Sequence, residues 1–146
     1  MSGIGREAIM TMIPHNGAMC LLDEVLDWDM NSVHCSSHRF CNPDNPMRRD
    51  NGVLGVACGI EIAAQAMAVH ARLTAPQDGL PAPGYLVSLR EVRLSVARLD
   101  AGMAPLSIHA TRQMLNHGSA SYSFRVTGQG AELVSGRAVV LMSANQ

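Results

Sequence analysis

A chain of 146 residues that is 47 % hydrophobic and 16 % charged has the apolar mass for a packed core, so it is expected to fold as one domain spanning residues 1–146. A net charge of -1 and an aromatic content of 3 % exclude the basic field and the stacking platforms that nucleic-acid binders use. No apolar run approaches the roughly 20 residues of a membrane span. The opening Met1-Ser2-Gly3-Ile4-Gly5-Arg6-Glu7 lacks the charged-then-apolar order of a signal peptide, so a cytoplasmic location is expected.

Residues 6–13 predict a short helix that ends at Pro14. Residues 19–28 read as a strand in which Met19, Leu21, Leu22, Val25, Leu26 and Trp28 interleave with Asp23, Glu24, Asp27 and Asp29. A second strand is expected over residues 32–38. Residues 39–55 hold two prolines, two glycines and the turn formers of Asn42-Pro43-Asp44-Asn45 and Asp50-Asn51. They form a loop whose length suggests a functional role. Residues 56–73 are rich in alanine and predict the one long helix. Its apolar residues nearly encircle it, which predicts burial on all sides. A second proline-rich loop covers residues 75–84. Four strands follow, over residues 85–96, 105–115, 119–127 and 131–142, with hairpin turns at Asn116-His117-Gly118 and Gly128-Gln129-Gly130. Two strands, one buried helix and a meander are most simply satisfied by an antiparallel sheet wrapped around the helix, an α+β arrangement.

Two residues stand out chemically. Glu61 lies one turn into the most apolar helix, where a carboxylate is costly unless paired or protonated. The bland alternative is a first-turn acid favoured by the helix dipole, with its head in solvent. Gln65, one turn on, shares its face and is placed to bond it. His38 closes a strand and opens the long loop, and histidine can take a proton from carbon acidified by a carbonyl. His34 precedes it by four residues on the same strand face, a weak candidate for a metal pair with no third ligand in pattern. His15, His70, His109 and His117 are expected to be structural. The cysteines Cys20, Cys35, Cys41 and Cys58 match neither a CxxC pair nor a zinc spacing and are expected to be reduced, packed thiols. The ten methionines read as core filler, and neither a glycine-rich phosphate loop nor a serine elbow is present.

Several segments together resemble a known family. Ile13-Pro14-His15-Asn16-Gly17-Ala18-Met19-Cys20-Leu21-Leu22-Asp23-Glu24-Val25 resembles the opening of the FabZ/FabA-type 3-hydroxyacyl-ACP dehydratases. Gly59-Ile60-Glu61-Ile62-Ala63-Ala64-Gln65-Ala66-Met67-Ala68 is similar to their central helix, and Gly84-Tyr85-Leu86-Val87-Ser88-Leu89-Arg90-Glu91-Val92-Arg93 to the strand after it. Ser37-His38 through Asn45-Pro46-Met47-Arg48 resembles the ApeP-like branch, the dehydratases of aryl polyene clusters.

The resemblance implies a hotdog fold, dimeric or larger, with the active site at the subunit interface. It implies His38 as the acid–base residue and Glu61 as its partner, contributed by different subunits. It implies a substrate carried on the phosphopantetheine arm of an acyl carrier protein, with neither metal nor redox cofactor. A backbone N–H of Gly55, Val56 or Ala57, at the positive start of the helix, would hold the thioester oxygen. Arg39, Arg48 and Arg49 flank this region and are the expected docking rim for the acidic carrier, with Arg90, Arg93 and Arg98 as the fallback. Glutamate in place of the aspartate of the isomerising branch argues against double-bond isomerisation. Two rival readings stay open: a hotdog thioesterase in which Glu61 activates water, and a non-catalytic carrier-binding subunit that pairs with an active homologue.

Overall fold

In the computed structural model, described for residues 2–13, 17–75 and 84–142, hydrophobic periodicity accounts for most of the architecture. Strand β1 (Ser2–Gly5) leads into helix α1 (Arg6–Met12), and β2 (Glu24–Trp28) and β3 (Ser32–Ser37) form a hairpin. A short strand β4 (Leu54–Gly55) precedes helix α2 (Ala57–Leu73). Then come β5 (Gly84–Leu94), β6 (Arg98–Leu99), β7 (Leu106–Asn116), β8 (Ser119–Gly128) and β9 (Ala131–Met142). Seven strands make one antiparallel sheet in the order β1-β2-β3-β7-β8-β9-β5, and β4 pairs with β6 in a small separate ribbon.

Alternation decides which face looks inward. Val33, Cys35 and Ser37 on β3 are buried, as are Leu106, Ile108 and Ala110 on β7 and Ala120, Tyr122, Phe124 and Val126 on β8. These side chains close over Ile62, Ala63, Ala66, Met67 and Val69 of α2 in a single cluster. The small residues of the helix let the sheet come close. A Cβ on Gly59 would lie 3.0 Å from Cγ2 of Val134, so this turn of α2 sits almost directly on β9. The result is a hotdog arrangement, a sheet curled around one long helix. The tight β8–β9 turn needs left-handed backbone at both central residues, and Gln129 (φ 51°) and Gly130 (φ 79°) supply it.

Three expectations are corrected. The strand expected over residues 19–28 begins only at Glu24, after a 3-10 turn at Gly17–Met19. Cys20, Leu21 and Leu22 are all fully buried. A pleated strand cannot bury three consecutive side chains on one face, so this stretch runs as an extended strut beneath the helix. Second, α2 is not buried on all sides. Ala57, Ile60, Glu61, Ala64, Ala68 and Arg72 recur at helical spacing and remain partly exposed. Third, the loop of residues 39–55 contains a 3-10 turn at Arg39–Cys41 and the strand β4. Of the second loop, residues 76–83 lie outside the described residues, as does Pro14.

Candidate active site

The strut of residues 19–23 organises the site because α2 and the end of β3 both bond to it. Gln65, 1 % exposed, faces the strut from the helix. Its Oε1 accepts the Leu21 N–H (2.9 Å), and its Nε2 donates to Met19 O (2.8 Å) and to Oε2 of Glu61 (3.0 Å). Both Nε2 partners are acceptors, so the amide orientation is chemically determined. The carboxyl of Glu61, half-buried on the open face of α2, is therefore steered by a side chain that is itself locked to the backbone.

The other side of the strut holds the corner that carries His38. Buried Ser37 donates from Oγ to Leu21 O (2.6 Å) and accepts the Phe40 N–H (3.3 Å). Asp23 donates its own N–H to Ser36 O (2.9 Å). Its carboxylate Oδ2 accepts the N–H groups of His38 (2.5 Å) and Arg39 (2.9 Å), and Oδ1 meets the Arg39 guanidinium at 3.3 Å. The backbone thus leaves β3 abruptly, and His38 sits at the bend, exposed to solvent. No hydrogen bond is made by its ring among the described residues. Charged acceptors of backbone N–H groups are stronger than neutral ones, which explains how so short a corner is held.

Residues 41–55 lie beside this corner. Asn45, almost fully buried, donates from Nδ2 to Phe40 O (2.7 Å) and accepts the Met47 N–H (2.9 Å). Arg48 donates to Asn42 O (3.1 Å), Gly52 O (2.8 Å) and Cys41 O. Its guanidinium is turned onto its own loop, and that of Arg39 is paired with Asp23. Arg49 is exposed, and its Nη2 lies 2.9 Å from where a Cβ on Gly55 would stand, so it lies across the approach to α2. Of the three backbone N–H groups expected near a thioester oxygen, that of Val56 is taken by Ala97 O (3.3 Å). Ala57 opens the helix, where an N–H has no carbonyl within the helix to bond.

The remaining titratable groups serve elsewhere. His34 stacks on His109 across β3 and β7, with ring centroids 3.9 Å apart. Burial holds both imidazoles below their ordinary range; nearby Arg125 adds to this, while Asp27 opposes it at His34. His70 is fully buried between Tyr122 Oη (2.7 Å) and Asp29 O (2.8 Å). A carbonyl only accepts, so Nε2 carries the proton and Nδ1 takes the Tyr122 hydroxyl. Burial pushes the Cys35 thiol up to about 12 and that of Cys58 up to about 11, so neither is a thiolate nucleophile near neutral pH. Among the described residues no group of three or more His, Cys, Asp or Glu side chains could hold a metal ion. His15 lies outside the described residues. Asp23 and Ser37 were not singled out from the sequence. Asp23 reads there as one of several acids along a strand, and only the end of pairing at Glu24 reveals its different task.

The family described as ApeP-like, ApeP dehydratase, matches residues 7–146. No curated protein matches. Among solved structures, the dehydratase heterocomplex ApeI:P from Xenorhabdus doucetiae is similar at 26 % identity and a TM-score of 0.80, over 94 % of this chain and 91 % of that one. A thioesterase from Haemophilus influenzae is similar at 10 % identity and a TM-score of 0.66, over 96 % and 91 %. A mutant thioesterase from Pseudomonas aeruginosa is similar at 14 % identity and a TM-score of 0.59, over 84 % and 82 %. At those two identities the likeness is one of fold.

Proposed function

Because the chain belongs to the ApeP-like dehydratase family, we propose that it removes water from a (3R)-hydroxyacyl thioester carried on acyl carrier protein, giving the trans-2-enoyl thioester in aryl-polyene or fatty-acid synthesis. The observation that carries this reading is the shared strut, which fixes a carboxyl through Gln65 and a histidine-bearing corner through Asp23 and Ser37.

In the proposed reaction neutral His38 takes the C2 proton. The freed electron pair forms the C2–C3 double bond as the C3–O bond breaks. The C3 hydroxyl, oriented by the carboxyl of Glu61, leaves as water with the proton that His38 took from C2, which returns the imidazole to its neutral form. Negative charge building on the thioester oxygen meets the positive end of the 17-residue α2, with the N–H of Ala57 or Gly55 as donor. No metal or redox cofactor takes part in this scheme, and the phosphopantetheine arm arrives with the substrate.

A second subunit completes the reading. Strand β5 ends the sheet, and none of its described side chains, residues 88–94, is buried. Leu94 is 54 % exposed. An uncovered edge of this length invites a further strand, and a second copy of the chain would supply one, bringing Glu61 of one subunit toward His38 of the other. Similarity to a dehydratase heterocomplex favours a variant in which the second subunit is an unlike homologue. Kinetics on 3-hydroxyacyl-ACP, with and without such a homologue, test the scheme. His38→Ala and Glu61→Gln should each lower turnover by about 10²–10⁴ while the fold survives. Near-normal dehydration by His38→Ala would remove the assignment and turn attention to His34.

A further inference from the structure

We propose that Asp23 is a positioning residue for dehydration, acting through His38; this rests on the acid–base reading above. His38 stands where β3 ends and a 3-10 turn begins, a place where backbone N–H groups lose their sheet partners. One carboxylate takes both orphaned donors, from His38 and Arg39, and the same side chain holds the Arg39 guanidinium. The Asp23 backbone is meanwhile tied to Ser36 O. The direction in which the His38 side chain leaves the backbone is therefore set by Asp23, although the carboxylate itself is not called on to touch substrate.

The strut gives this local clamp its reach. Leu21, two residues before Asp23, is bonded to Gln65 through its N–H and to Ser37 through its carbonyl, and Gln65 holds Glu61. Leu21 thus ties the helix that carries Glu61 to the end of β3, so the corner that Asp23 clamps stands in a fixed place relative to the carboxyl. Reacting groups must be held to within a fraction of an ångström for efficient proton transfer, and misplacement by about 1 Å can cost around 10² in rate. An acid in this place is expected to matter for turnover more than for substrate binding or global stability, because its side chain is partly exposed (25 %).

The test is a double-mutant cycle measured on a 3-hydroxyacyl thioester with the full chain and, where required, its partner subunit. Asp23→Ala should lower kcat by about 10- to 100-fold, with KM within about twofold. Asp23→Asn, which keeps an oxygen acceptor for the two N–H groups, should recover most of the loss. In a His38→Ala background the Asp23→Ala change should cost less than about twofold, since the group it positions is gone. An equal loss in both backgrounds would show a general structural role and overturn the proposal, as would wild-type kcat in Asp23→Ala. If Asp23→Ala does not fold, Asp23→Ser, whose shorter side chain cannot reach both N–H groups, carries the same comparison. Failure of the acid–base reading is separately visible, because His38→Ala alone would then retain activity, and the proposal would fall with it.

Discussion

Replacing Gln65 by leucine should be among the most damaging single changes that leave the core volume nearly unaltered. The amide holds three partners at 2.8–3.0 Å from a site that is 1 % exposed. Leucine fills similar space, so little cavity forms and the loss falls on polar groups. The Leu21 N–H lies on a fully buried strut and would be orphaned, at a cost of about 1–3 kcal/mol. Met19 O and the Glu61 carboxyl are part-exposed and recover water, so each loses about 0.5–1.5 kcal/mol. The sum is about 2–6 kcal/mol. With about 3–4 °C per kcal/mol for a chain of this size, the melting temperature should fall by about 6–24 °C. Calorimetry reads the fall, and hydrogen exchange gives a local check, since the Leu21 amide should lose its protection. A fall of under about 2 °C with the Leu21 amide still protected would refute the claim that Gln65 anchors the strut.

Stability should decline on mild acidification. His34, His109 and His70 all have imidazoles held below the ordinary value, chiefly by burial. The unfolded chain therefore binds protons more readily, so their contribution is fully present above about pH 6.5 and is lost as pH falls below it. The melting temperature should drop between about pH 7.5 and about pH 5.5, and replacing His34 and His109 by asparagine should flatten that slope; an unchanged slope would show that the stacked pair is not its source. For the carrier, Arg49→Glu should raise KM for acyl-ACP with kcat nearly constant and leave a small-molecule thioester unaffected, an electrostatic effect that salt should erase over a Debye length of about 8 Å. Arg48→Ala should instead lower stability by releasing the three loop carbonyls; equal KM effects from both arginines would contradict this division.

The sheet, the long helix and the hairpins were legible because period-2 and period-3.6 burial leave direct marks in sequence. β9 spans the expected residues 131–142, and α2 differs from its expected span by one residue at its start. The strut was not legible. Alternating acids and apolar residues over 19–28 mimic a strand, yet Cys20, Leu21 and Leu22 are all buried because the segment passes between the helix and the end of β3. Exposure along α2 was hidden for a related reason: alanine at 57, 64 and 68 is apolar but small, so composition could not say which face the sheet leaves open. Within the site, Glu61, Gln65 and His38 stand out as chemical types in unusual places. The inward turn of Arg48 and the clamp made by Asp23 depend on tertiary hydrogen bonds that no local pattern encodes.

The central claim is tested most directly by incubating the purified chain, alone and with a homologous subunit, with (3R)-hydroxyacyl-ACP and weighing the intact carrier. The account predicts a carrier lighter by one water, with the acyl chain still attached as a trans-2-enoyl thioester. It also predicts that this product disappears with His38→Ala. A carrier that returns with its phosphopantetheine thiol free would mean hydrolysis in place of dehydration and would contradict the account. An unchanged carrier, even with the homologous subunit present, would contradict it equally.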